Sequence, residues 1–67
     1  MEELKNLANN LRALRLQYGL TQREVAEKIR ITYQSYQAYE RGIAVPTLQK
    51  FIKLAKFFDV PYEELLD

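Results

Sequence analysis

The stretch that decides the fold is residues 20–42, LTQREVAEKIRITYQSYQAYERG. Thr21 stands three residues before Glu24, the spacing of a capping box that opens a helix, and Val25, Ala26 and Ile29 share that helix's inner face. Thr32 is the next cap candidate, starting a helix through Tyr36, Tyr39 and Glu40 that Gly42 can end. A turn of about four residues around Arg30-Ile31 separates the two, the spacing of a helix-turn-helix over about residues 21–41.

Working outward, Gly19, Gly42, Pro46 and Pro61 cut the chain into helix-length pieces. Leu4, Leu7, Ala8, Leu11, Leu14 and Tyr18 recur by threes and fours, one face of a first helix that Gly19 can stop. Pro46-Thr47 starts a fourth helix with Leu48, Phe51, Ile52, Ala55 and Phe58 as its inner stripe. A last short turn follows Pro61 and buries Leu65, with Leu66 as a second candidate. No segment combines period-two alternation with β-branched enrichment, so strands are not expected. The fold class is therefore all-α: five short helices joined by loops of two to five residues, in a single domain over residues 1–67.

Composition removes most chemistry. The 67 residues contain neither Cys nor His, which excludes disulfides and thiolate zinc sites and removes the commonest metal ligand and general base. The motif region offers no nucleophile–base pair, acidic metal cluster or phosphate-cradling glycine loop. No catalytic residue, metal or cofactor is expected, and the chain does not read as an enzyme. No apolar run approaches the roughly 18–20 residues of a membrane span, and the acidic start Met1-Glu2-Glu3 is not a secretory signal. A cytoplasmic protein without a membrane partner is the expectation.

The net charge of +1 conceals a gradient. Six of the nine acids lie in the end segments, at Glu2, Glu3, Asp59, Glu63, Glu64 and Asp67. Residues 4–56 hold all ten basic residues against Glu24, Glu27 and Glu40, a local balance of +7. Within that segment the second motif helix exposes Thr32, Tyr33, Gln34, Ser35, Gln37 and Ala38, a neutral, hydrogen-bonding face free of acids. A helix so placed can read bases in a major groove. Gln pairs in bidentate fashion with adenine, Ser and Thr bond bases or phosphates, and Ala or an aromatic edge meets a thymine methyl. Tyr33, Tyr36 and Tyr39 also form a ridge at spacing three that could stack unpaired bases, but only Tyr33 reads as free, the other two being core or near-core residues with hydroxyls reaching water.

Leu20-Thr21-Gln22, Val25-Ala26, Ile31-Thr32, Tyr39-Glu40-Arg41-Gly42, Pro46-Thr47-Leu48 and Leu54-Ala55 together resemble the phage repressor/Cro (Xre-type) helix-turn-helix family, from about Leu11 to Leu66 without a gap. The resemblance implies a compact five-helix, lambda-repressor-like DNA-binding domain. It implies a transcriptional regulator, bacterial or phage, that binds a two-fold operator in double-stranded DNA as a homodimer. Carried over by position, it places Gln22 at the start of helix two, contacting DNA and bracing the recognition helix. Thr32, Tyr33, Gln34, Ser35 and Gln37 complete the base-reading set, and Arg41, just past helix three, meets a phosphate; Arg23 and Arg30 are further candidate phosphate contacts, not carried over from the family. Arg15 lies between Leu11 and Tyr18 on the first helix, where a buried guanidinium needs a carboxylate; relatives of this pattern pair it with the residue at Glu40.

Three departures stand out. Arg30 occupies a turn position where the family often has Gly, because the backbone there tends to need φ > 0. The loop after Gly42, often basic in the family, reads Ile43-Ala44-Val45 and exposes an apolar patch. Phe57 falls about 120° from Phe51 on the fourth helix, and Leu16 is also off its helix's stripe. Phe57, Tyr62 and Leu66 are the candidate dimer seam. Ile43–Val45 is the best support for the alternative reading, a protein-interaction module on the same fold such as an antitoxin or an antirepressor-receiving domain.

Overall fold

The computed structural model describes residues 2–67, so Met1 of the acidic start lies outside the described residues. It contains five α-helices: α1 (Glu2–Gln17), α2 (Gln22–Ile29), α3 (Tyr33–Arg41), α4 (Leu48–Phe58) and α5 (Tyr62–Leu66), with no strand among the described residues. Thr21, Thr32 and Thr47 are the N-caps of α2, α3 and α4, each accepting the backbone N–H three residues on. The Thr21–Glu24 capping box is closed from both sides.

The first four helices end alike. A residue in the left-handed region follows each, at Gly19 (φ 71), Arg30 (φ 60), Gly42 (φ 72) and Asp59 (φ 56). The next N–H then reaches back five residues: Leu20 to Arg15, Ile31 to Ala26, Ile43 to Ala38 and Val60 to Ala55, at 3.0–3.1 Å. This is the Schellman arrangement, which satisfies carbonyls the helix itself cannot. Leu20, Ile31 and Val60 fold back onto the core, as an apolar residue in that place usually does. Ile43 does not, and is 67% exposed.

Remaining helix ends are tied down by side chains from elsewhere. Asn6 and Asn10 of α1 donate to the Leu66 and Leu65 carbonyls of α5, and the Tyr18 hydroxyl donates to the Phe58 carbonyl at 2.7 Å. The core joins Leu7 and Leu11 of α1, Val25, Ala26 and Ile29 of α2, Tyr36 and Tyr39 of α3, Leu54, Ala55 and Phe58 of α4, and Leu65 of α5. Every helix contributes, as so short a chain requires.

Several expectations are corrected here. The turn between α2 and α3 has three residues, Arg30 to Thr32, rather than about four. Leu48 is 74% exposed and Leu54 fully buried, so the inner face of α4 centres on Leu54, Ala55 and Phe58, one step round from the stripe read off the sequence. Tyr18 is 46% exposed, with its ring edge-on to Phe58 and its hydroxyl on the α4 terminus. Leu66 is exposed beside a buried Leu65. The Tyr36 hydroxyl does not reach water; it is buried and has no hydrogen-bond partner.

Candidate nucleic-acid interface

Helix α3 is held by α1 on one side and α2 on the other, with Tyr36 and Tyr39 turned into the core. Its remaining surface carries Tyr33, Gln34, Ser35, Gln37 and Ala38, and its first turn contains no acid. Thr32 accepts the Ser35 N–H at 3.0 Å, and its hydroxyl donates to Ser35 Oγ at 2.8 Å. The two hydroxyls are thus ordered at the helix N-terminus, where the macrodipole favours an anion. Gln34 is exposed outside this pair, while Ser35 and Gln37 are half-buried. Gln37 Nε2 donates to the Tyr33 hydroxyl at 3.3 Å, and Arg23 places its guanidinium carbon 4.2 Å from the Tyr33 ring centroid.

Behind this face lies the one ion pair among the described residues. Arg15 Nε donates to Glu40 Oε2 at 2.7 Å and Nη2 to Oε1 at 3.1 Å, a bidentate fork, while Nη1 donates to the Leu20 carbonyl at 3.0 Å. The side chains keep only 12% and 3% of their exposure. Gln22 Nε2 adds a bond to Glu40 Oε1 at 3.1 Å, so one carboxylate joins α1, the start of α2 and the end of α3. Burial pulls the Glu40 carboxyl up, but the hydrogen bonds, Arg15's foremost, hold it below its ordinary value. The Arg15 guanidinium is raised in turn, chiefly by its hydrogen bond to Glu40. Burial, with the Glu40 charge adding to it, pushes the adjacent Tyr36 hydroxyl far up, so it stays neutral.

The cationic candidates separate. Arg41 is exposed at the C-terminal end of α3. Arg30 is exposed in its left-handed turn position, between Lys28 and the start of α3. Lys53 is turned toward the end of α2, its Nζ 3.4 Å from the Ile29 carbonyl. The candidate seam residues are also divided. Phe57 is half-buried against Tyr18 and Phe58, whereas Tyr62, 46% exposed, packs its ring on Phe51. Sequence reasoning gave Gln22 a bracing role without naming Glu40 as its partner, and did not find the Arg23–Tyr33 stack, since both contacts depend on how α2 meets its neighbours. No helix among the described residues is long and apolar enough to cross a membrane.

A family profile described as "Helix-turn-helix" matches residues 11–65. The cryptic phage CTXphi transcriptional repressor RstR of Vibrio cholerae is 42% identical over 59 residues, covering 88% of this chain and 53% of that protein. This chain therefore spans about half the length of RstR. An HTH-type transcriptional regulator of Methanocaldococcus jannaschii is 36% identical over 59 residues, covering 88% of this chain and 89% of that one. The solved structure of the S. venezulae BldD DNA-binding domain superposes with a TM-score of 0.84 at 40% identity, over 100% of both chains. These relatives are transcriptional regulators rather than enzymes. Capped helices around a three-residue turn, an acid-free face on α3 and these matches lead to one conclusion: the chain belongs to the Xre-type, phage repressor/Cro, helix-turn-helix family.

Proposed function

We propose that this chain is a sequence-specific reader of double-stranded DNA that controls transcription, repressing by occupying a two-fold operator as a homodimer in the cytoplasm of a bacterial or phage-infected cell. The observation that carries the reading is the outer face of α3: hydrogen-bonding, free of acids, and braced from behind by the Arg15–Glu40–Gln22 cluster. Gln34 and Tyr33 take the central base contacts, Thr32, Ser35 and Gln37 flank them, and Gln22 meets DNA at the start of α2. Arg30 and Arg41 contact phosphates. RstR is a transcriptional repressor, and repression is carried to this chain from that likeness.

Size supports the dimer. The domain measures 26 × 22 × 21 Å, so two copies side by side can set their recognition helices about 34 Å apart, one helical turn of DNA. Leu48, Tyr62 and Leu66 are exposed large apolar side chains on α4 and α5, and they form the proposed contact between copies; Phe57, half-buried against Tyr18 and Phe58, stands apart from them. Residues 1–67 are read as a single domain.

A second reading, a protein-interaction module, draws on Ile43 at 67% and Val45 at 71% exposure in a loop whose basic character is lost. Binding measured against salt separates the two. The DNA reader gives an affinity that falls steeply with salt and loses sequence preference on Gln34→Ala; an interaction module gives neither.

A further inference from the structure

Arg23 sits in the first turn of α2 and Tyr33 opens α3, so the two meet across the helix-turn-helix. A guanidinium 4.2 Å from a ring centroid is well inside cation–π range, and its flat, weakly hydrated face suits stacking on an aromatic ring better than an ammonium does. The hydroxyl of the same tyrosine accepts from Gln37 Nε2 at 3.3 Å, one turn along α3. Tyr33 is thereby held at its ring and at its tip. Without these contacts an aromatic side chain in the first turn of a helix would sample several rotamers. With them its outer edge favours one orientation before any ligand arrives, and part of the entropy of ordering it is already lost.

The stack also changes what Arg23 is for. The guanidinium face lies over the ring while its in-plane N–H groups stay open to solvent, so the contact gives Arg23 a task as a support for Tyr33 beside that of a simple cation. We infer that Arg23 is a positioning residue for sequence reading: stacked on Tyr33 and assisted by Gln37, it aims the Tyr33 edge at one base pair and sets the preference there. The inference rests on the proposed placing of α3 in the major groove. It also names the base. A hydroxyl that accepts from Gln37 keeps its own proton to donate, and the ring edge beside it is apolar. Thymine offers both complements, an O4 acceptor and a C5 methyl, in the major groove.

The test compares wild type, Arg23→Lys, Arg23→Gln and Tyr33→Ala on the best duplex from a random pool and on its single-base variants, at several salt concentrations. Arg23→Lys keeps the charge and loses the flat stack. It is expected to lose about fivefold or more in discrimination at one thymine, the step that Tyr33→Ala also loses, with the salt slope unchanged. The inference is overturned if Arg23→Lys keeps the full base profile while Arg23→Gln weakens all duplexes alike and lowers the salt slope by about one, the mark of a phosphate contact. A measurement on the free protein separates this from failure of the DNA reading. The Arg23 side-chain protons should show an upfield ring-current shift in NMR that Tyr33→Ala abolishes. Absence of that shift removes the inference whatever the DNA result, whereas its presence in a protein that selects no duplex removes the DNA reading and, with it, the specificity role.

Discussion

The Arg15 guanidinium grips the Glu40 carboxylate through two hydrogen bonds, at 2.7 and 3.1 Å, across 25 residues of chain. The pair joins α1 to the end of α3, and Gln22 adds the start of α2 to the same carboxylate. Three helices therefore meet at one buried charge, directly behind the face proposed to read DNA. Removing one partner would leave the other uncompensated. Arg15→Ala is expected to lower unfolding free energy by about 3–5 kcal/mol, measured by denaturant titration. A loss below about 1 kcal/mol would mean that the pair behaves as a surface contact.

The pH dependence follows from the same carboxylate. Because Glu40 titrates lower in the folded chain than in the unfolded one, its stabilising contribution is present above the unfolded value and lost as pH falls through the folded value. Stability should drop on acidification below about pH 4, and Glu40→Gln should flatten that part of the profile while lowering stability at neutral pH. An unchanged acid limb in Glu40→Gln would assign the acid sensitivity to other carboxylates.

Beside the pair, the buried Tyr36 hydroxyl has no hydrogen-bond partner. Tyr36→Phe removes a polar group that burial penalises, so thermal unfolding should show unchanged or higher stability, by up to about 1 kcal/mol. A loss of that size instead would show that the hydroxyl bonds to Glu40 in solution.

Arg30 holds φ 60 where an L side chain is strained. Arg30→Gly should therefore stabilise the domain by about 1 kcal/mol, a rise of roughly 4–8 °C in Tm. The converse test is Gly42→Ala. An added Cβ would meet Ala8 Cβ at an ordinary 3.7 Å, so the expected loss of about 1 kcal/mol comes from φ 72 alone. If both variants leave Tm unmoved, the left-handed positions carry no strain.

What the sequence made legible is local. The threonine caps, the Thr21–Glu24 box, the stops at Gly19 and Gly42, and the need of Arg15 for a carboxylate each follow from short-range backbone chemistry or from one helix wheel. What escaped it is tertiary. Asp59 takes a left-handed conformation with no glycine to announce it, because Val60 must fold back onto the core. Leu48 and Leu54 exchanged roles since the stripe of α4 is set by the helices it meets, not by its own periodicity. Asn6 and Asn10 cap α5 across 60 and 55 residues, for which no local signal exists. In the candidate site, the composition of α3 showed which side chains were available. The stack of Arg23 on Tyr33, which turns a cation into a support, needed α2 and α3 placed together.

The proposed dimer contact separates from folding. Leu48 is 74% exposed and outside the core, so Leu48→Glu should weaken self-association in sedimentation with the unfolding midpoint of the monomer unchanged. A wild-type chain that is monomeric at tens of micromolar, free and on DNA alike, would remove the two-fold reading.

The central claim is that the outer face of α3 reads double-stranded DNA, and selection of bound sequences from a random duplex pool tests it most directly. Enrichment of a two-fold motif, with half-sites about 10 base pairs apart and a preference that Gln34→Ala erases, is the expected result. A pool that stays random after repeated rounds at low salt would contradict it.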